Sequence, residues 1–123
     1  MSGKDASKFV GVLFVSRNVA HQMHLKTDSY AQHKALEEFY KGIIPLADSL
    51  AESVIGRKIP LKDIPYLAPE GKMDAISQLE SQLKALESRR YADLDKADSP
   101  LQNIVDEIVK LYLDTLYMLR RFK

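Results

Sequence analysis

The sequence of 123 residues has no cysteine and no tryptophan. Without cysteine there is no disulfide frame, no thiolate metal site and no cysteine nucleophile. Charge of one sign is also missing. Eighteen basic residues face seventeen acidic ones, a net charge of +1, with no basic tract. Binding to nucleic acid through counterion release has no footprint in such a chain. The longest apolar run is Phe9 to Val15, far too short to span a membrane, and no signal peptide is read ahead of it. There is no glycine-rich phosphate loop and no Ser-His-Asp arrangement. Glycine and proline number five each. Pro60, Pro65, Pro69 and Gly71 gather in one stretch, which leaves long segments uninterrupted.

What is present is helical periodicity without strand alternation. An apolar share of 46% and a charged share of 28% suit one globular domain over residues 1–123. The apolar spacing predicts four helices, about 5–26, 29–55, 73–90 and 100–121. The first carries Phe9, Val12, Leu13, Val19, Ala20 and Met23 on one wide face. Thr27-Asp28-Ser29 supplies N-cap residues for the second, and Gly56 is expected as its C′ glycine. Leu36, Tyr40, Ile43, Ala47, Leu50 and Val54 form a heptad-type seam that stays in phase across Pro45. Residues 57 to 71 read as a long crossover, with at most a short helix near 61–66. In the third helix Ile76, Leu79, Leu83 and Leu86 make a narrow stripe, and its glutamines read as solvated. Ser99, Pro100 and Gln102 read as N-cap, N1 and N3 of a capping box opening the fourth. A long connection between the second and third helices points to an all-α, ferritin-like four-helix bundle rather than an up-down-up-down one.

The candidate chemistry lies between Ala20 and Gly56, which holds the three histidines of the chain, His21, His24 and His33. On a helical wheel with His33 at zero, Glu37 falls at about 40°, Asp48 at about 60° and Glu52 at about 100°, away from the seam at about 300°. Ile44 and Ile55 share that second face, which suggests contact with another chain. His33 and Asp48 stand about 22 Å apart along one helix, so they cannot share an ion within it. Two copies of the helix packed antiparallel about a two-fold axis could bring His33 and Glu37 of one against Asp48 and Glu52 of the other. Imidazole with carboxylate suits iron, zinc or manganese. The same residue types also occur on an ordinary helix surface, and spacing alone leaves that alternative open.

His21, His33 and the phrase Asp48-Ser-Leu-Ala-Glu52 resemble the ferroxidase motif of the mini-ferritin (Dps) family. The resemblance implies His21 and His33 as histidine ligands, Asp48 as an auxiliary carboxylate and Glu52 as the main one, with Glu37 at a nearby acidic position. His24 competes with His21 for the first place. It implies iron binding and oxidation of iron(II) by oxygen or peroxide, in a homo-oligomer built at least on a two-fold dimer through the second helix. The pattern His24-Leu-x-Thr-x-Ser-Tyr-Ala-x-His-Lys-Ala-Leu36 is also similar to small uncharacterised helical proteins of tailed phages. The expected function is thus a ferritin-like metal-binding protein, with a non-catalytic helical interaction protein as the alternative and a DNA-protecting particle least supported by the charge. A cytoplasmic location, in a bacterial or phage-infected cell, goes with that expectation.

Overall fold

The computed structural model describes residues 4–123. Four α-helices follow one another: α1 (Ser7–Lys26), α2 (Tyr30–Gly56), α3 (Ala75–Asp93) and α4 (Ser99–Arg121), with no strand among the described residues. Short polar side chains start each helix by taking orphan amide protons. Ser29 accepts from the Gln32 amide at 3.2 Å to open α2. Asp74 accepts from the Ser77 amide at 2.8 Å to open α3. For α1 the acceptor is Asp5, which takes the Ser7 amide at 3.0 Å and the Ser7 hydroxyl at 2.8 Å.

Two expected caps are displaced by one or two residues. Asp98, not Ser99, caps α4, because its carboxylate also receives Arg57 Nε at 2.9 Å and so ties the end of α2 to the start of α4. Gln102 makes no capping box. It is drawn to α3, where its Oε1 accepts from Arg90 Nε at 2.9 Å and its Nε2 donates to the Arg90 carbonyl at 3.2 Å. At the end of α2, Gly56 is still helical, and Lys58 takes the left-handed conformation with φ 62°. The Lys58 amide donates to the Ile55 carbonyl at 2.8 Å and the Ile59 amide to Val54 at 3.2 Å. That is the bond pattern of a Schellman motif with lysine in the glycine position.

Each helix packs against two others. α1 touches α2 and α3, and α4 touches the same two. The ends show the directions. Lys4 Nζ at the start of α1 donates to the Tyr91 carbonyl near the end of α3, and Gln32 at the start of α2 reaches the Leu119 carbonyl near the end of α4. Arg120 pairs with Glu80, joining the end of α4 to the first half of α3. Neighbours are therefore antiparallel and diagonal partners parallel. The core is the apolar stripe of each helix, including Phe9, Leu13, Phe39, Ile43, Leu50, Leu79, Leu86, Ile108 and Leu119, all fully enclosed. α2 stays helical through Pro45, which is exposed, so the carbonyl left without a donor lies on the water side. The seam of α2 differs at one place: Phe39 is enclosed and Tyr40 is displaced to the edge.

Residues 57–74 carry no helix. Ile59, Leu61 and Leu67 pack on the core. Pro65 crosses α1 at Gly11, where a Cβ would come within 3.1 Å of the proline ring and its carbonyl. The glycine is the notch that lets the backbone pass.

Beneath this segment a chain of buried polar groups crosses the interior. Tyr112 of α4 donates to Ser16 Oγ of α1 at 2.7 Å. Ser16 donates to Gln82 Oε1 of α3 at 2.8 Å, and Gln82 Nε2 donates to Gln78 Oε1 at 3.0 Å. Gln78 Nε2 then reaches the carbonyls of Glu70 at 2.6 Å and Lys72 at 2.9 Å. Gln78 and Gln82 are thus interior residues, against the expectation of a solvated face. Every buried side-chain polar atom among the described residues has a partner, as burial of such groups requires.

Candidate metal centre

The turn Thr27–Ser29 folds the last turn of α1 back onto the first turns of α2, and this brings two histidines ring to ring. His24 and His33 stack with centroids 3.7 Å apart and planes 20° apart. His24 Nδ1 lies 2.8 Å from the His33 carbonyl, and His33 Nδ1 lies 2.9 Å from the His24 carbonyl. A carbonyl only accepts, so both Nδ1 atoms carry the proton. In neutral rings the lone pairs are then on Nε2. Such an outer hydrogen bond to a backbone carbonyl is the usual way of orienting a ligating histidine.

Glu37 stands one turn beyond His33. Ligand atoms of His24, His33 and Glu37 all lie within 4.8 Å of one another. Lys41 donates to Glu37 at 2.7 Å, and Lys34 stands 3.7 Å from the other oxygen. The hydrogen bond from Lys41, with the nearby charges of Lys34 and Lys41, holds the Glu37 carboxyl below the usual carboxylate range. The carboxylate is ionised and available as a ligand.

Donors around a tetrahedral ion at about 2.05 Å are roughly 3.3 Å apart. To share an ion the three groups would close by up to about 1.5 Å. The two imidazole planes are only 20° from parallel. The donor set fits a borderline divalent ion. Its spacing is wider than a bound ion requires.

His21 lies outside this group of three but belongs to the same ring cluster. It stacks on Tyr40 at 4.3 Å and lies 6.1 Å from His24. Tyr40 meets His24 edge-on at 5.2 Å, and the Arg17 guanidinium sits 5.5 Å over the Tyr40 ring. Asp48 and Glu52 are exposed farther along α2. Asp48 is about 16 Å along the axis from Glu37 and lines a separate groove. Tyr40 is the member of the cluster that the sequence reading places in the seam. Its signal is its position seven residues after His33, two helical turns on the same side.

Residues 24–119 match the model of DUF5856, a family of unknown function. The chain belongs to this family. The matched span starts at His24 and takes in His33, Glu37, all of α2 and α3 and α4 as far as Leu119, so the paired histidines lie inside the family region of the DUF5856 chain. It is also 27% identical over 122 residues to an uncharacterized 14.6 kDa protein in the mobD-ri intergenic region of Enterobacteria phage T4. The alignment covers 96% of this chain and 91% of that protein. The expected similarity to small phage proteins is therefore found. No solved structure matches. Among the described residues no helix is long and apolar enough to cross a membrane.

Proposed function

We propose that this chain is a divalent-metal-binding protein of ferritin-like architecture, with His24, His33 and Glu37 as its intrachain ligands. The reciprocal Nδ1–H···O=C bonds carry the reading. In neutral rings they leave the lone pairs on Nε2, and a ring nitrogen of each histidine lies within 4.8 Å of an ionised carboxylate. Two imidazoles and a carboxylate suit iron(II), zinc or manganese. The ferritin-like architecture is supported by antiparallel neighbours, parallel diagonals and a long second connection. Oxidation of iron(II) as a substrate, the finer reading, draws on the mini-ferritin resemblance and asks for Asp48 and Glu52 from a second copy. Both stand on a face of α2 that no other helix of the chain covers. A cytoplasmic site of action in an infected cell goes with the phage relative. The alternative, an interaction protein without chemistry, is favoured by the exposed Phe14, Ile44 and Tyr66.

Calorimetric titration with zinc and manganese, and with iron(II) under anaerobic conditions, tests the metal reading. Binding in the micromolar range or tighter is expected for at least one ion. Glu37→Gln keeps the histidine clasp and should weaken binding roughly tenfold or more. In nitrogen-15 NMR spectra the Nε2 signals of His24 and His33 should shift with the ion. Absence of binding by all three ions, or unmoved Nε2 signals, overturns it.

A further inference from the structure

A groove of about 870 Å³ opens where α1, α2 and residues 63–67 meet. Its walls are mostly apolar: Phe14, Val15, Ile44, Ile64 and Leu67, with Pro65 below. Phe14 and Ile44 are 42% and 41% exposed, and the Tyr66 side chain stands free in solvent. Three charged groups line the groove, Arg17, Asp48 and Asp63. None of the three forms an ion pair among the described residues. Arg17 is engaged by the neighbouring Asn18 Oδ1 at 3.1 Å and by the Tyr40 ring.

The charges are sorted along the groove. His24 against His33 and Arg17 against Tyr40 set the antiparallel register of α1 on α2. Asp48 follows Tyr40 by eight residues, so it lies about 12 Å down the axis from the level of Arg17. Asp63 precedes Pro65, which crosses at Gly11, and so belongs to the same lower end. The upper end is cationic, the lower end anionic, and Ile44 lies midway between Tyr40 and Asp48 with Phe14 beside it. A two-fold axis through the middle of such a groove lays each end on its opposite. Surfaces of this kind complete themselves, as an isologous interface requires.

We infer that a second copy of the chain docks antiparallel on this groove, packing Phe14 and Ile44 of the two copies together and setting Arg17 of each against Asp48 of the other. The inference names the surface for the self-association proposed above and is independent of whether a metal binds. Rim charge pairs of this kind direct register and weaken with salt. An apolar centre of this modest size gives a transient dimer rather than an obligate one.

Sedimentation velocity on the full chain, from low micromolar to near-millimolar concentration, tests it. A concentration-dependent dimer that weakens with added salt is expected. Arg17→Glu and Asp48→Arg should each raise the dissociation constant roughly tenfold or more. The double swap R17E/D48R should restore it. Leu113→Glu, on the exposed side of α4, should leave dimerisation unchanged. A chain that stays monomeric throughout overturns the inference. So does a dimer indifferent to the single reversals, a folded double swap that remains monomeric, or a dimer broken by Leu113→Glu. Zinc titration of the Arg17→Glu chain separates the two proposals, because neither Arg17 nor Asp48 is among the intrachain ligands.

Discussion

Removing the hydroxyl of Ser16 strands two groups at once. Ser16 Oγ accepts the Tyr112 proton at 2.7 Å and donates to Gln82 Oε1 at 2.8 Å, and Ser16 and Tyr112 have no solvent exposure. Burial pushes the Tyr112 hydroxyl well above its ordinary pKa, so it remains a proton donor that needs an acceptor. In Ser16→Ala the Tyr112 donor and the Gln82 oxygen both lose their partner, each at about 1–3 kcal/mol. The better helix propensity of alanine returns roughly 0.5 kcal/mol. The net expectation is a loss of about 1.5–5.5 kcal/mol. Tyr112→Phe leaves Ser16 still donating to Gln82 and costs about 1 kcal/mol. The smaller chemical change should therefore be the more damaging one. The double variant should be less destabilised than the sum, because phenylalanine no longer presents a stranded hydroxyl. Urea unfolding followed by circular dichroism measures all three, and for a chain of this size each 1 kcal/mol moves Tm by roughly 4 °C. A Tyr112→Phe cost equal to or above that of Ser16→Ala would refute the reasoning, as would strict additivity.

The helical glycines separate propensity from space. At Gly42 a Cβ meets only the flexible end of Leu111 at 3.3 Å, so Gly42→Ala should raise stability by about 0.5–1 kcal/mol in thermal melts. At Gly11 the same change presses on Pro65 and its carbonyl at 3.1 Å, and Gly11→Ala should fall short of that gain, with larger residues there costing about 1–3 kcal/mol. Asp74 is held below the usual carboxylate pKa, chiefly by the Ser77 amide. A depressed folded pKa gives stability that is present above the ordinary carboxylate range and lost as pH falls through the folded value. Asp74→Ala should lower stability by about 1 kcal/mol at neutral pH and flatten part of the acid limb of a stability-versus-pH curve.

The four helices were legible because apolar residues recur at helical spacing and Gly and Pro are confined to the joints. Pro45 did not mislead, since Ile43, Ala47, Leu50 and Val54 keep one phase across it. The solvated reading of α3 failed at Gln78 and Gln82. A glutamine looks the same in sequence whether it meets water or a buried amide, and only the packing, with residues 70–72 returning over Gln78 and Ser16 of α1 meeting Gln82, encloses these two. The same limit applies to Asp98. Its capping role depends on Arg57, forty-one positions away. For the candidate site, three histidines in one stretch were conspicuous, and the carboxylate one turn after His33 followed from helix geometry. That His24 rather than His21 joins His33 and Glu37 depends on how tightly Thr27–Ser29 turns, which helical spacing does not encode. Tyr40 was read as core because it follows Leu36 and precedes Ile43 at seam spacing, whereas the adjacent Phe39 takes the interior and the ring Tyr40 stacks on, His21, lies on another helix.

The antiparallel order of neighbours also fixes where the chain leaves its own body. Residue 4 sits by Tyr91, at the foot of α3, whereas Leu119 sits by Gln32, next door to His33. A run of histidines attached after Lys123 would hang beside the paired imidazoles and offer competing nitrogen donors. A run attached at the other terminus would meet the described body at residue 4, at the far end, about 30 Å away along α1. Affinity handles, fluorophores and fused partners are therefore not interchangeable between the two termini: one reports on the end of the paired histidines, the other on the end where α2 closes onto α4.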